Sequence, residues 1–403
     1  MNIWILNHYT KPPSFSGSTR HYDMAQELIK HGHEVTIFAS SFSHNRREEF
    51  INYEHNEYCK IEKLNGIEFV WIKTRSYSNG IQRILNALDY YKNVKKAVKN
   101  FAFSSPDVVI GSTVHLLAPI LAQKLSKEFN AKFYFEERDF WPQTLVDFKI
   151  ISKFNPITIA LYKIEKRLYE KADKIIVLFD RAENYLKKRD VKLDKVIYLP
   201  NGIAEMEIEY NNDIDVTLKK YGNKKKIIYT GAHGQANDLM RILELAYKMK
   251  NNSEIVFLFY GNGPLKDKLI KERNKLELKN VQFYPPVEKK FIPYLLSKAD
   301  LAIISIKDSP LYNFGFSMNK IYDYLFAGLP IIMLVNKNLA PNFDRDGIFV
   351  SEDIKKQINN INLLIENSSY YNEQSEAAKF YSKNFLWSNQ IIKLIKSMDK
   401  EDR

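Results

Sequence analysis

A single cysteine, Cys59, in 403 residues leaves no internal disulfide and no cysteine-rich zinc cluster, which fits a reducing compartment. No apolar run reaches the ~18 to 20 residues that a bilayer-spanning helix needs. Met1 to Asn7 is a short strand-like run, without the charged start and long apolar region of a secretory leader. The expectation is a cytoplasmic protein, soluble or peripheral on the inner membrane face. Also missing are the G-x-G-x-x-G fingerprint of dinucleotide enzymes, a nucleic-acid-binding signature and any short-period repeat, so nicotinamide chemistry and base-specific reading are disfavoured. Positive charge, by contrast, is abundant: 60 Lys+Arg against 48 Asp+Glu give a formal net charge of +12, spread along the chain. Such an excess attracts phosphorylated substrates or anionic lipid without choosing between them.

The chain reads as two α/β halves, long enough for two domains of ordinary size. Asn2 to Leu6 is a strand, His8 to Ser18 a loop, Arg20 to His31 a helix closed by Gly32, and Glu34 to Ala39 the next strand. This beginning predicts a doubly wound parallel sheet, whose ligands lie beyond the strands' C-terminal ends. Further strands are expected at Ile67 to Ile72, Asp107 to Ile110, Lys132 to Phe135, Ile175 to Leu178 and Lys195 to Leu199. The pattern restarts at Ile227 to Thr230, with strands at Glu254 to Tyr260, Val281 to Tyr284, Leu301 to Ile306 and Ile331 to Val335. The boundaries expected are 1–203 for the first domain, 204–222 for a polar linker and 223–375 for the second domain, with helix over the remaining 376–403. Two basic amphipathic stretches, 81–103 and 148–171, fall in the first half. Ile81, Ile84, Leu85, Leu88, Tyr91, Val94, Val98 and Phe101 recur at helical spacing, and such a face packs on a sheet or lies on anionic lipid.

The stretch Tyr312 to Val335 organises the second half. A glycine-containing loop runs into Ser317, a good N-cap, and Met318 to Phe326 read as a helix stopped by Gly328 and Pro330 ahead of a buried strand. The first-turn amides and the positive end of the helix dipole suit a diphosphate, and Lys320 adds a full charge. Asn319 and Asp323 share a face, where Asp323 can accept from sugar hydroxyls. A capped helix with a solvated lysine and aspartate has the same pattern. In the first half, FEERDFWPQ places Glu136, Glu137, Arg138 and Asp139 at a strand's C-terminal end, where charged groups serve a site or a salt-bridged loop.

The string SMNKIYDYLFAGLPII resembles the C-terminal signature of family 4 glycosyltransferases with the GT-B fold, especially the branch that assembles bacterial surface polysaccharides such as O-antigen and capsule. The segment FEERDFWPQ, Phe135 to Gln143, is similar to the E-x-R-D-x-W-P stretch of the same branch. The resemblance implies an α/β fold of two Rossmann-like doubly wound domains facing across a cleft, with 376–403 crossing back to the first. It implies that the first domain serves the acceptor and the second the donor. The implied donor-binding positions are Gly17, Ser18, Gly231, His233, Gly261, Gly263, Gly315, Phe316, Ser317, Met318, Asn319, Lys320 and Asp323, with Asp323 on the nucleotide ribose. Asp139 or Glu137 would be an acceptor-side base or orienting carboxylate, and Arg138 its electrostatic partner. The chain departs from the pattern in two places. A glutamate usual eight residues before Asp323 is Gly315 here, and GAHGQANDL lacks the usual arginine and lysine, leaving Arg241 and Lys320 as substitutes.

The activity implied is retaining transfer of a sugar from a nucleotide-diphosphate donor to a glycan hydroxyl, the acceptor being polyprenyl-diphosphate-linked. No cofactor and no essential metal are expected, because no D-x-D element sits on a suitable loop and the amides with Lys320 balance the charge. Two other readings stay open. A nucleotide-sugar epimerase of the same fold would need paired acid/base carboxylates. A non-catalytic scaffold of polysaccharide assembly would hold anionic membrane through 81–103 and 148–171. Nucleic acid is not expected as a partner.

Overall fold

A computed structural model describes residues 1–15, 18–43, 48–205 and 207–399. Two compact units divide the chain, one built from residues 1–12, 18–200 and the last helix, the other from residues 201–386.

In the first unit eight strands run in the order Val196–Tyr198, Lys174–Val177, Lys132–Glu137, Val108–Ser112, Asn2–Leu6, Glu34–Ser40, Ile67–Ile72, Cys59–Leu64. All neighbours are parallel except the final pair, a hairpin. Cys59–Leu64 is the strand that pattern reading misses: it is an edge, its sequence CKIEKL is largely exposed, and charged edges carry no apolar run. The sheet changes direction of travel between Asn2–Leu6 and Val108–Ser112, a switch point that opens a crevice at their C-terminal ends. Helix Trp387–Met398 completes this unit. Trp387 lies 5.1 Å from the Arg20 guanidinium, and the Met398 carbonyl accepts from Lys132 Nζ at 3.0 Å. The expected terminal helix is therefore two, because Ser368–Ser382 stays in the second unit, where Ser375 donates to the Gly328 carbonyl at 2.7 Å.

Two other expectations are corrected. Phe148 to Lys171 is not one helix, since Asn155 caps a helix that begins at Pro156. In helix Gly80–Asn100 the buried face is Asn86, Ala87, Tyr90, Val94 and Ala97, offset from the apolar stripe read from spacing. Asn86 Nδ2 donates there to Thr74 Oγ1 and the Arg75 carbonyl.

The second unit holds six parallel strands in the order Val281–Tyr284, Ile255–Tyr260, Lys225–Thr230, Leu301–Ser305, Ile331–Leu334, Ile348–Val350. Strand periodicity builds its two core layers. Ile228, Leu258, Ala302, Ile304 and Met333 pack on one face with Ile321, Tyr324 and Leu325, while Ile227, Phe257, Phe259, Ile303 and Ile332 pack on the other with Leu239, Ile242 and Leu243. The stretch expected as linker contains helix Asn212–Lys219, whose Ile214 and Leu218 enter the first of these layers. Its switch point lies between Lys225–Thr230 and Leu301–Ser305. Among the described residues no helix is long and apolar enough to cross a membrane.

Candidate functional site

In the second unit, two loops at the C-terminal ends of Lys225–Thr230 and Ile255–Tyr260 are laced together by backbone bonds. Gly231 N donates to the Tyr260 carbonyl at 2.9 Å and His233 N to the Asn262 carbonyl at 2.9 Å. The approach is so close at Gly261 (φ 150°) that a Cβ there would stand 1.9 Å from the Gly231 carbonyl oxygen. Gly263 packs likewise against the backbone of His233.

Lys320 enters beside these loops from the second residue of helix Asn319–Phe326, its Cε and Nζ within 3.0 Å of where a Gly231 Cβ would be. Its ammonium donates to Tyr229 Oη at 2.8 Å and to Asn237 Oδ1 at 2.9 Å, and stands 4.3 Å from the Tyr229 ring centre. Both partners are neutral. Although the residue keeps some surface, its ammonium is enclosed on most sides, and loss of water pushes its pKa down to about 7. An anion placed there would restore the charge.

Two residues ahead of the helix, Ser317 and Phe316, differ from the sequence reading. Ser317 is not the cap: the cap position is Met318, extended and without a side-chain bond. The Ser317 hydroxyl instead meets Asn201 N at 2.9 Å and Tyr322 Oη at 2.9 Å, while Asn201 Nδ2 donates to the Ser317 carbonyl at 2.7 Å. Phe316 turns its ring into the core against Phe343, at 5.1 Å and 17°, so only its main chain remains for a ligand. Gly315 has φ 91° and ψ −180°, a conformation essentially restricted to glycine, which accounts locally for the missing glutamate. Asn319 opens the helix and keeps partial exposure. One turn on, Asp323 is held at 2.5 Å by Lys289 Nζ, both largely covered; Lys289 escaped the sequence reading because it lies on another loop.

His233 is fully buried among Phe283, Tyr229 and Phe259, and neither ring nitrogen has a hydrogen-bond partner. Burial, with Lys266 and Lys320 nearby, pushes its pKa down to about 4, so it is neutral at pH 7 and supports the loops from beneath. Arg241 points its guanidinium at the Glu352 carbonyl, 2.6 Å away. Gly17 lies outside the described residues; Ser18, in the first unit, meets Arg20 N at 3.5 Å.

In the first unit the strand Lys132–Glu137 runs two residues further than its apolar run, which sends its glutamates to opposite faces. Glu136 takes Arg20 Nε at 2.8 Å, His21 Nε2 at 2.5 Å and the Ser112 hydroxyl at 2.5 Å. Burial would raise its pKa, but His21 and Arg20 hold it well below the carboxylate range. Glu137 is corrected as a catalytic candidate. It is fully buried, accepts from Tyr169 Oη, and is driven well above the carboxylate range by burial and by Glu165. Arg138 and Asp139 emerge past the strand end, the Arg138 amide fixed on Thr113 Oγ1 at 2.8 Å. Asp139 is exposed, yet crowding by surrounding protein raises its pKa against the pull of Arg138 and Arg83. At the switch point, unanticipated, His8 Nδ1 and His115 Nε2 stand 2.8 Å apart, with the His8 ring stacked 4.6 Å from Tyr90. Burial pushes His115 down to about 4, so it too is neutral.

Each unit thus ends its sheet in polar groups suited to a poly-hydroxylated or phosphorylated ligand, and the chain's sequence says which class this is. Residues 17–205 match the family model Glycosyltransferase Family 4, and residues 211–380 match Glycosyl transferases group 1. The chain belongs to the family 4 glycosyltransferases and has their GT-B fold. It is 22% identical over 292 residues, covering 70% of this chain and 71% of the relative, to an Escherichia coli K12 protein named as a colanic acid biosynthesis glycosyl transferase, WcaI. In structure it is similar to the sucrose-phosphate synthase of Thermosynechococcus elongatus, with TM-score 0.74, 14% identity and 98% and 97% of the two chains covered. It is similar also to Anabaena HepE, solved in complex with UDP-glucose, with TM-score 0.67, 12% identity and 98% and 100% covered.

Proposed function

We propose that this glycosyltransferase is retaining, takes its sugar from a nucleotide-diphosphate donor and delivers it to a hydroxyl of a polyprenyl-diphosphate-linked glycan in surface-polysaccharide biosynthesis. One observation carries the donor half: Lys320, an ammonium without a carboxylate partner, is held by two neutral groups against a glycine-laced pair of loops and the uncapped start of a helix. In the reaction the bond between the anomeric carbon and the β-phosphate oxygen breaks and the nucleoside diphosphate leaves with the electron pair. Lys320 and the helix amides stabilise that charge. The acceptor oxygen bonds to the anomeric carbon from the same face, and its proton passes to the departing phosphate. Asp139, beside Arg138, orients the acceptor, and no side chain becomes covalently attached. The amides and Lys320 neutralise the diphosphate without an essential metal. WcaI, by its name, supports a surface polysaccharide as product, and HepE, by its bound UDP-glucose, a nucleotide-sugar donor.

Incubating the protein with a panel of nucleotide sugars, with and without lipid-linked acceptors and in the presence of EDTA, tests this. Free nucleoside diphosphate and an α-linked product from an α-linked donor are expected, undiminished by EDTA. An altered but intact donor, or a product of inverted anomeric configuration, would refute it.

A further inference from the structure

Between Gly315 and helix Asn319–Phe326 the main chain has three fastenings. The Phe316 ring packs on Phe343, Ile321 N donates to the Met318 carbonyl at 3.0 Å, and between them Asn201 Nδ2 donates to the Ser317 carbonyl at 2.7 Å. The last of these sets a direction. The Ser317–Met318 peptide is trans and planar, so a carbonyl drawn toward Asn201 sends the N–H of the same peptide, that of Met318, the opposite way. Among the described residues no protein group accepts from the amides of Met318, Asn319 and Lys320, the orphan donors of this helix start. The Lys320 ammonium stands on the same turn.

Asn201 is itself immobilised. It is 4% exposed, and its own amide donates to the Ser317 hydroxyl at 2.9 Å, so side chain and main chain grip one residue and fix its rotation as well as its distance. The peptide that precedes it is held at both ends. While its N–H reaches Ser317, its carbonyl, that of Pro200, accepts from Arg20 Nη1 at 2.7 Å, and Arg20 is fixed in turn on the Leu199 carbonyl at 2.9 Å and on Glu136 at 2.8 Å. Asn201 therefore does not follow Ser317 when that loop shifts; the loop is held to Asn201.

We propose that Asn201 is a positioning residue for sugar transfer: by holding the Ser317 carbonyl it keeps the Met318 amide, and the Asn319 and Lys320 amides after it, turned toward the departing diphosphate. Donors fixed in this way need no reorganisation as charge develops on the leaving group, which is where they contribute most. Asn201 acts through Ser317 and does not touch the substrate. The inference rests on the donor reading above, in which a diphosphate meets Lys320 and this helix start.

The test is calorimetry of the full-length protein with inorganic pyrophosphate, which needs no base, and with the nucleoside of whichever donor the panel above selects. Asn201→Asp keeps the shape but sets a carboxylate against the Ser317 carbonyl. This variant and Asn201→Ala should each raise the pyrophosphate Kd about tenfold or more and leave the nucleoside Kd unchanged. Hydrogen exchange supplies a readout that stability alone does not move: pyrophosphate should slow exchange of the 317–321 amides in the wild type and in neither variant. Tyr322→Phe is the control for folding, because it removes the hydroxyl 2.9 Å from Ser317 Oγ and leaves the grip on the carbonyl. It should lower the melting temperature and keep the pyrophosphate Kd within about twofold. Asn201 variants that bind pyrophosphate like the wild type overturn the proposal, as does a wild type that binds none. So do variants that lose pyrophosphate and nucleoside by the same factor, or a Tyr322→Phe protein whose affinity falls with its melting temperature. Lys320→Met separates the two readings. If it binds pyrophosphate as the wild type does, the donor reading falls and takes the inference with it, whereas a weakened Lys320→Met beside an unweakened Asn201→Asp removes the inference alone.

Discussion

If Lys320 meets the donor diphosphate, donor binding must take up a proton. The free ammonium has a pKa of about 7, against 10.5 for an ordinary lysine, because its burial is not offset by a carboxylate. A diphosphate alongside favours the charged form and raises that pKa on binding. Lysine is the acidic partner here, so raising the pH empties the binding-competent form: about nine-tenths is protonated at pH 6 and about one-tenth at pH 8. The donor Kd should therefore rise about tenfold between those values, ~1.4 kcal/mol. A nucleotide sugar is the right ligand, because its pyrophosphate is a diester with no proton to gain in this range. Calorimetry in buffers of different ionisation enthalpy should find about 0.9 proton taken up per donor at pH 8 and about 0.1 at pH 6. Lys320→Met should bind weakly with no pH slope, and Lys320→Arg, permanently charged, should also lose the slope. A pH slope in Lys320→Met equal to that of the wild type would show that another group titrates and would refute the assignment.

Asp323→Ala should weaken donor binding by roughly 10- to 100-fold, the worth of a charge-assisted hydrogen bond to a ribose hydroxyl. Asp139→Ala should leave donor affinity unchanged while lowering turnover, and the reverse pattern would exchange the two assignments. Because burial and Glu165 keep Glu137 protonated, Glu137→Gln should change stability by less than about 1 kcal/mol and turnover by less than about twofold in urea titrations and assays. Glu137→Ala opens a closed space and leaves Tyr169 only its longer bond to Glu165, 3.4 Å, and should destabilise by roughly 2 to 4 kcal/mol.

The layout of the sheets was legible because buried parallel strands spell themselves as short branched-aliphatic runs, such as Ile227 to Thr230 and Leu301 to Ile306, separated by amphipathic helices. Elements whose partners are solvent or distant chain were not. Cys59–Leu64 is a charged edge strand. The packed face of helix Gly80–Asn100 centres on Asn86 and Tyr90, where Thr74, Arg75 and Phe38 accept from the Asn86 amide nitrogen and the Tyr90 hydroxyl, and spacing alone cannot reveal such partners.

The site shows the same division more sharply. That Lys320 follows a glycine-bearing loop at a helix start is local, and the sequence carries it. That Ser317 abandons the cap for Asn201, 116 residues away, is a tertiary choice that propensity ignores. So is the meeting of His8 with His115 across 107 residues, although each immediately follows a strand beside the switch point, a signal that strand order would have turned into a contact. In FEERD the error was one of phase. With the strand ended at Phe135, both glutamates join the loop and read as site residues. With it continued to Glu137, pleating turns Glu136 onto Arg20 and Glu137 onto Tyr169, both inward, and Asp139 is left as the nearby carboxylate that emerges into solvent. Two residues of strand length thus decide which acid can meet an acceptor, and the deciding energy lies in the buried hydrogen bonds, on helices formed by other parts of the chain.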